Sequence, residues 1–378
     1  MFLFERVFGF GMYMIVLGMV CLFLSKTKVP CKTTLRVYLL CLCIMAFFYK
    51  PYITADLYRT YGTMEFFSTM DFELFWNNFA LDSGIPVARL LYWFVGKIGI
   101  NALLPTFATF VCYSITFYII NKTREMYDIS NKSVACVLFF IMSTSIYISV
   151  IGGIRMMLAL CLIGFCFFRQ TVEKKFRFYD VLLYMMAVFI HAMGFVAVGV
   201  CVVVALLDSN KSFARRVAYT VVALLLGLVF VTRFNDAVSK MIEKFLDYAL
   251  GDRHSDPWEY IMGFLIIAVL LLLFREYRCV RLEGTGQELK NFNSAAIWCV
   301  VIALCFFFEF SIFYRFGGQL AVLFAIPSLM ITLEKTRGRP SVIIRNFDFR
   351  SILMLMSVVI AVISCTRGSL SSLKFFEL

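Results

Sequence analysis

Residues 152–191 read GGIRMMLALCLIGFCFFRQTVEKKFRFYDVLLYMMAVFIH. Two apolar runs flank a short basic loop carrying Arg169, Lys174, Lys175 and Arg177. Arg155 opens the first run, directly after the Gly152-Gly153 pair, and His191 closes the second. With both runs as membrane helices, the loop lies on one face of the bilayer, and Arg155 and His191 finish together on the other. Ionisable groups at membrane depth are costly and mark functional sites by default. This pairing is the first functional signal in the chain.

The remaining composition points the same way. Of 378 residues, 62% are hydrophobic and 16% charged, with mean hydropathy +0.86. A soluble domain averages about 45–50% apolar and roughly 25% charged. Repeated apolar runs of roughly 17–20 residues predict spanning helices. The runs are continuously apolar rather than alternating, which argues against a β-barrel. The first run, 7–24, has no A-x-A-type cleavage site after it and is expected to be retained as helix 1. No spacer or soluble segment interrupts the pattern, so a single integral-membrane domain over residues 1–378 is expected. The net charge of +12 does not indicate nucleic acid, because most Lys and Arg fall in short loops that alternate with acidic or neutral ones. The thirteen cysteines are scattered, mostly in apolar runs, without a C-x-x-C pair. They read as small core residues rather than a disulfide framework or a zinc site.

Charge then sets the topology. Lys26, Lys28, Lys32 and Arg36 place the loop after helix 1 in the cytoplasm. Residues 37–53 lead out to an external segment, 54–84, that is polar and rich in rings. Residues 86–99 are apolar but short and carry Arg89 and Lys97. A crossing there would put Lys122, Arg124 and Lys132 outside, so this stretch is read as an interfacial or re-entrant helix. Residues 103–120 cross inward, 133–151 outward and 154–168 inward. The stretch 179–207 fits one long helix or two short ones broken near His191. One helix would put Arg275, Arg278, Arg281 and Lys290 outside. Two keep them in the cytoplasm, together with Lys211, Arg215 and Arg216. Two are therefore expected, with His191 at an external turn. Residues 217–232 cross outward to a second external segment, 234–257. Within it Val238, Met241, Ile242, Phe245 and Ala249 share one helical face, the pattern of an amphipathic helix lying on the membrane. Residues 258–274, 295–313, 317–333 and 351–365 complete the set. The expected fold is an all-α polytopic integral membrane protein of about twelve transmembrane helices, plus the short helix over 86–99. Its six cytoplasmic loops hold most of the 36 Lys and Arg.

On this topology three basic groups reach the external face: Arg155, His191 and Arg315. Guanidinium forks bind phosphate oxygens bidentately and stay charged at any working pH. Two of them near one interface suit a diphosphate attached to a lipid, and a histidine beside them can accept a proton from a sugar hydroxyl. The plain alternative is that each Arg snorkels to lipid headgroups and His191 satisfies a helix turn. Glu309, six residues before Arg315, is an intramembrane acid; it is either a functional carboxylate or a charge partner that positions an arginine. In the segment 54–84, Asp56, Arg59, Glu65, Asp71, Glu73 and Asp82 stand among Tyr58, Phe72, Phe75, Trp76 and other rings. Rings beside carboxylates suit sugar faces and hydroxyls, and an aromatic belt at the membrane interface is the commoner origin of such a pattern. His254, in a surface loop, offers no advantage over His191. No metal constellation, no paired carboxylates of the kind that hold a sugar-nucleotide metal, and no phosphate-binding G-x-x-x-x-G-K-[ST] loop appear. Neither metal nor cofactor is expected.

Three local patterns carry a resemblance. Asp56-Leu-Tyr-Arg-Thr-Tyr61 is followed by the short helix over 86–99. Ile154-Arg155 opens a helix that leads through a basic loop to Phe189-Ile-His191. Phe313-Tyr-Arg315 is followed one helix later by Ile326-Pro327. In order and spacing they resemble the EpsG-like family of polysaccharide polymerases, related to Wzy-type O-antigen, capsule and exopolysaccharide polymerases. The likeness spans roughly residues 50–330, and Leu57 departs from the usual D-Y-x-x-Y form. The resemblance implies a multi-pass glycosyltransferase of the bacterial cytoplasmic (inner) membrane with a GT-C-like arrangement. Its substrate would be an undecaprenyl-diphosphate-linked oligosaccharide in the lipid bilayer, and a chain-length regulator would be a further partner. The growing chain would move from undecaprenyl diphosphate onto a lipid-linked repeat unit on the external face, without a metal. By carry-over, Arg155 and Arg315 would hold the diphosphate. His191 would act as base or orient the acceptor hydroxyl. From the residues themselves, apart from the resemblance, Glu309 is a second catalytic candidate, and Asp56, Arg59 and Trp76 are candidates for touching glycan.

Two other readings share these features. A transporter or flippase of lipid-linked oligosaccharide also has many helices and buried basic groups, but such proteins often carry internal repeats and midplane charges. Here the halves show no repeat and the charges gather near one face. A glycan ligase uses the same donor chemistry, and an O-acyltransferase also places a histidine in a membrane helix.

Overall fold

The computed structural model describes residues 2–26, 29–53, 55–144, 146–207, 257–341 and 346–366. The sequence readings for 217–232, 234–257 and His254 lie outside the described residues. Among the described residues the structure is helical, with one isolated bridge between Pro340 and Asp348. The first helices are α1 (Phe2–Lys26), α2 (Cys31–Phe47), α3 (Asp56–Ser68), α4 (Phe72–Phe75), α5 (Pro86–Ile98) and α6 (Leu103–Tyr127). Then come α7 (Asn131–Ser143), α8 (Ile146–Gly152), α9 (Ile154–Thr171), α10 (Phe178–Ile190) and α11 (Ala192–Leu207). The last are α12 (Pro257–Leu282), α13 (Lys290–Cys305), α14 (Phe310–Phe313), α15 (Ala321–Lys335) and α16 (Phe349–Thr366). Two π-helical stretches interrupt this series, Trp76–Ala80 and Tyr314–Leu320.

Among the described residues five helices are long and apolar enough to cross a membrane: Leu103–Tyr127, Ile154–Thr171, Pro257–Leu282, Gln287–Cys305 and Tyr314–Lys335. The pair α7 and α8, bent by 55°, makes a sixth if it counts as one span. The remaining apolar helices are shorter. The helices differ from the apolar runs in instructive ways. α2 begins just after Pro30 and takes Lys32 and Arg36 into its first turns, and α6 continues past its apolar part to Tyr127. Hydropathy marks only the part of a helix suited to hydrocarbon, whereas backbone hydrogen bonding continues until a breaker or a solvated turn stops it. The run 295–313 is not one helix, because α13 ends at Cys305 and Glu309 N–H bonds back to the Phe306 carbonyl before α14 starts. The segment 54–84 is not an irregular loop. It folds as α3, α4 and the π stretch, with Asp71 capping α4 by accepting from Leu74 N–H at 2.8 Å.

Two helices form the centre. The segment Tyr314–Lys335 is enclosed from Phe316 to Leu333, and α9 is nearly so along its apolar length. They touch at Gly164, where a Cβ would stand 2.7 Å from Leu323 Cδ2, so only glycine admits that approach without moving the leucine. Phe167 of α9 stacks at 6.0 Å on Phe292 of α13 and meets Phe324 of α15 edge-on at 5.9 Å. Around this centre α6, α7, α12 and α13 pack on α15, while α6, α10 and α11 pack on α9.

The α9–α10 hairpin is fixed at its basic end by a buried ion pair. Arg169 donates to Asp180 at 2.6 Å, Arg177 N–H reaches the second Asp180 oxygen at 2.7 Å, and Arg169 also lies over the Tyr179 ring. α11 then returns to that end. The Cys201 thiol is close enough to Cys166 and Cys299 to interact electrostatically, and Cys166 touches the Asp180 carbonyl. Hence 179–207 is two antiparallel helices with His191 at the turn, as the charge pattern predicts.

The loops expected in the cytoplasm gather at one end. Tyr118 bonds Glu173, Tyr127 bonds Glu288 at 2.9 Å, Ser130 bonds Glu334 at 2.6 Å, and Arg339 pairs with Glu283 at 3.0 Å.

Candidate functional site

The heads of the two central helices define the opposite end. Arg155 is the second residue of α9, after a break in which Gly153 leaves helical backbone. Arg315 lies in the π stretch Tyr314–Leu320, between Phe313 and Phe316, which are buried in the bundle. Counting from the Gly164–Leu323 contact, Arg155 is nine residues up one helix and Arg315 eight up the other. At about 1.5 Å per residue the two stand at nearly the same level. The π turn inserts an extra residue per turn, a device often found where a helix re-aims a functional side chain. It is tied in place by Gln319, whose Nε2 donates to Ser149 Oγ of α8 at 2.7 Å.

His191 completes the group. It occupies the turn between α10 and α11, outside both helices, with extended backbone. Its Nδ1 accepts the Met193 N–H at 3.0 Å and so caps α11. Burial first, then the charges of Arg315 and Arg155, hold its pKa well below the usual histidine range, at about 3. The imidazole is therefore neutral, and with Nδ1 occupied as acceptor its proton is on Nε2. Its remaining nitrogen is a donor.

A fourth group joins them. Arg89, in the first turn of α5, is within electrostatic reach of Arg155, and burial together with that charge lowers its pKa. Tyr92, one turn further on, feels Arg155, Arg89 and Asp56 and shares a side-chain hydrogen bond with Thr60. The sequence reading noted Arg89 as a charge on a short helix and did not join it to the site. The available signal was its place in the first turn of a helix too short to span. Thus α5, α9 and α11 all begin at this cluster. Helix N-termini carry roughly +0.5 charge each and favour anions. Three arginines, a neutral N–H donor and three N-termini make a site suited to an anion with several oxygens.

The other sequence candidates fall into two places. Asp56 and Arg59 form an ion pair at 2.5 Å on the exposed face of α3, with side chains 74% and 71% accessible. Trp76 heads the first π stretch, half buried, stacked on Phe72 at 5.7 Å. From there rings run through Trp93 and Phe75 to Phe67, over which the Arg89 guanidinium lies at 5.4 Å. Phe75 is fully buried and braces α5, so it is a packing residue and not a surface for sugar. Glu309 is buried at the head of α14, where its carbonyl accepts from Ile312 and Phe313 N–H, on the same segment as Arg315. Among the described residues no group of three or more His, Cys, Asp or Glu is arranged to hold a metal.

A family model described as the EpsG family matches residues 69–371, a range that includes Arg89, Arg155, His191, Glu309 and Arg315. No match was found among curated proteins or among solved structures.

Proposed function

The chain belongs to the EpsG family, which is one of polysaccharide polymerase-like membrane proteins, and on that premise we propose that it is a Wzy-type polysaccharide polymerase. The observation that carries this reading is the meeting of Arg155, His191 and Arg315 at one end of the bundle. In the proposed reaction the donor is a glycan on undecaprenyl diphosphate and the acceptor a lipid-linked repeat unit. The bond from the anomeric carbon to the phosphate oxygen breaks, and a bond to the acceptor hydroxyl oxygen forms. The hydroxyl proton passes to a base, and the lipid diphosphate leaves.

Arg155 and Arg315, with Arg89 beside them, hold the diphosphate and stabilise the charge that grows on it. His191, a donor through Nε2, hydrogen-bonds a phosphate or acceptor oxygen and so orients rather than deprotonates. The buried carboxylate of Glu309 is the candidate base. Asp56, Arg59 and Trp76 line the approach of the glycan along α3 and the first π stretch. Twelve crossings, a GT-C-like arrangement, the cytoplasmic membrane of a bacterium and reaction on its external face belong to this proposal, as does a chain-length regulator as partner. Glycan analysis of a deletion strain tests it. Single repeat units on the surface lipid are expected, whereas a complete absence of surface glycan would indicate a flippase instead.

A further inference from the structure

The opposite end of the molecule holds a second feature that the reaction does not use. Between α2 and α6 a groove of about 540 Å³ opens at the end where the basic loops gather. Its rim carries Lys32, Arg36, Lys122 and Lys175, and its wall continues into apolar side chains including Leu39 and Phe110. Phe110 stands twelve residues before Lys122 on α6, roughly 18 Å along the helix. The groove is therefore as long as a good part of one bilayer leaflet, basic at one end and apolar at the other.

The four cations are only partly matched from within, Glu125 being the one acid that lines the groove. Lys122 has Glu125 at 4.0 Å and Lys175 has Glu173 at 3.8 Å. Lys32 and Arg36 have no carboxylate within 4.0 Å among the described residues. Lys32 also sits in the first turn of α2, where the helix dipole disfavours a cation unless an anion lies nearby.

We infer that this groove binds an anionic phospholipid, with the phosphate on the Lys32–Arg36–Lys122–Lys175 rim and an acyl chain along Leu39 and Phe110. Basic pockets between helices on the cytoplasmic side recognise such headgroups, and each cation near the surface adds appreciably to binding. A soluble anion does not need the apolar wall. A zwitterionic lipid does not need the excess of cations.

Native mass spectrometry of the full chain in mild detergent tests this, with phosphatidylglycerol or phosphatidylcholine added. Wild type is expected to retain phosphatidylglycerol preferentially. The double substitution Lys32→Gln with Arg36→Gln should lower that retention roughly tenfold and leave phosphatidylcholine unchanged. Lys122→Gln with Lys175→Gln provides a second pair should the first unfold. Lys335→Gln with Arg337→Gln, at the same end but outside the groove, should change nothing. Equal retention of both lipids by wild type overturns the inference, as does unchanged phosphatidylglycerol retention in both folded groove variants. Displacement of the lipid by millimolar inorganic phosphate would also overturn it, since it would make the site one for a free anion.

Discussion

At the scale of single residues, the chemistry turns on which nitrogen of His191 faces the substrate. Met193 N–H occupies Nδ1, so the ring offers a donor. The amide of glutamine can mimic that donor. His191→Gln should therefore keep a measurable part of polymer synthesis, while His191→Ala should lose about tenfold or more, the size of a lost hydrogen bond to a charged group. Equal inactivity of both variants would instead identify His191 as the base. The pH dependence follows from the same environment. With its pKa lowered to about 3, folded His191 stays neutral from pH 8 to pH 5, so a turnover profile should show no limb near 6.5 from this group. The unfolded histidine, by contrast, takes up a proton below about 6.5. Stability from this residue is thus complete above pH 6.5 and is lost progressively as pH falls toward 3, which thermal unfolding against pH would reveal. Arg155→Lys keeps a charge and loses the fork, and should cost roughly tenfold or more in rate, measured with purified lipid-linked repeat units.

Elements, rather than residues, explain what was legible in the sequence. The hairpin 154–190 was legible because charge and hydropathy both mark its ends, and Arg155 and His191 came with it. Arg315 was legible as a charge at a helix turn, but not as part of a π stretch, because nothing in YRFGGQL distinguishes one extra residue per turn from an ordinary helix. Arg89 was missed because α5 was read for its length and not for what its first turn faces. The aromatics of 54–84 looked alike in sequence, and packing separates them: Phe75 is enclosed and Trp76 half open. Phe75→Ala should accordingly cost about 3–5 kcal/mol of stability in a detergent melt. Trp76→Ala should leave the melt nearly unchanged and shorten the polymer. The Arg169–Asp180 pair makes a sharper case. Both side chains are buried, at 5% and 0% accessible, so Asp180→Ala strands a guanidinium and should destabilise by about 3–5 kcal/mol. Because that pair closes the hairpin whose far end is His191, the same variant should lose activity although it lies at the opposite end from the site.

The whole molecule is polarised, with basic loops bonded to one another at one end and Arg89, Arg155, Arg315 and His191 at the other. Single-cysteine accessibility should find positions 152, 191 and 315 open to a membrane-impermeant reagent from outside, and 169–178 and 275–293 only after permeabilisation. Finding 191 and 275–293 on one side would refute the arrangement. The hairpin at the centre of this layout has a further consequence. α10 has 13 residues, about 20 Å of helix, against a hydrocarbon core near 30 Å. Such hydrophobic mismatch is relieved when the surrounding lipid thins to meet the shorter helix. On the proposed topology the turn that carries His191 should then lie at the floor of a dent in the bilayer, where a lipid-borne diphosphate would have less distance to travel to water than beside a full-length span such as α6.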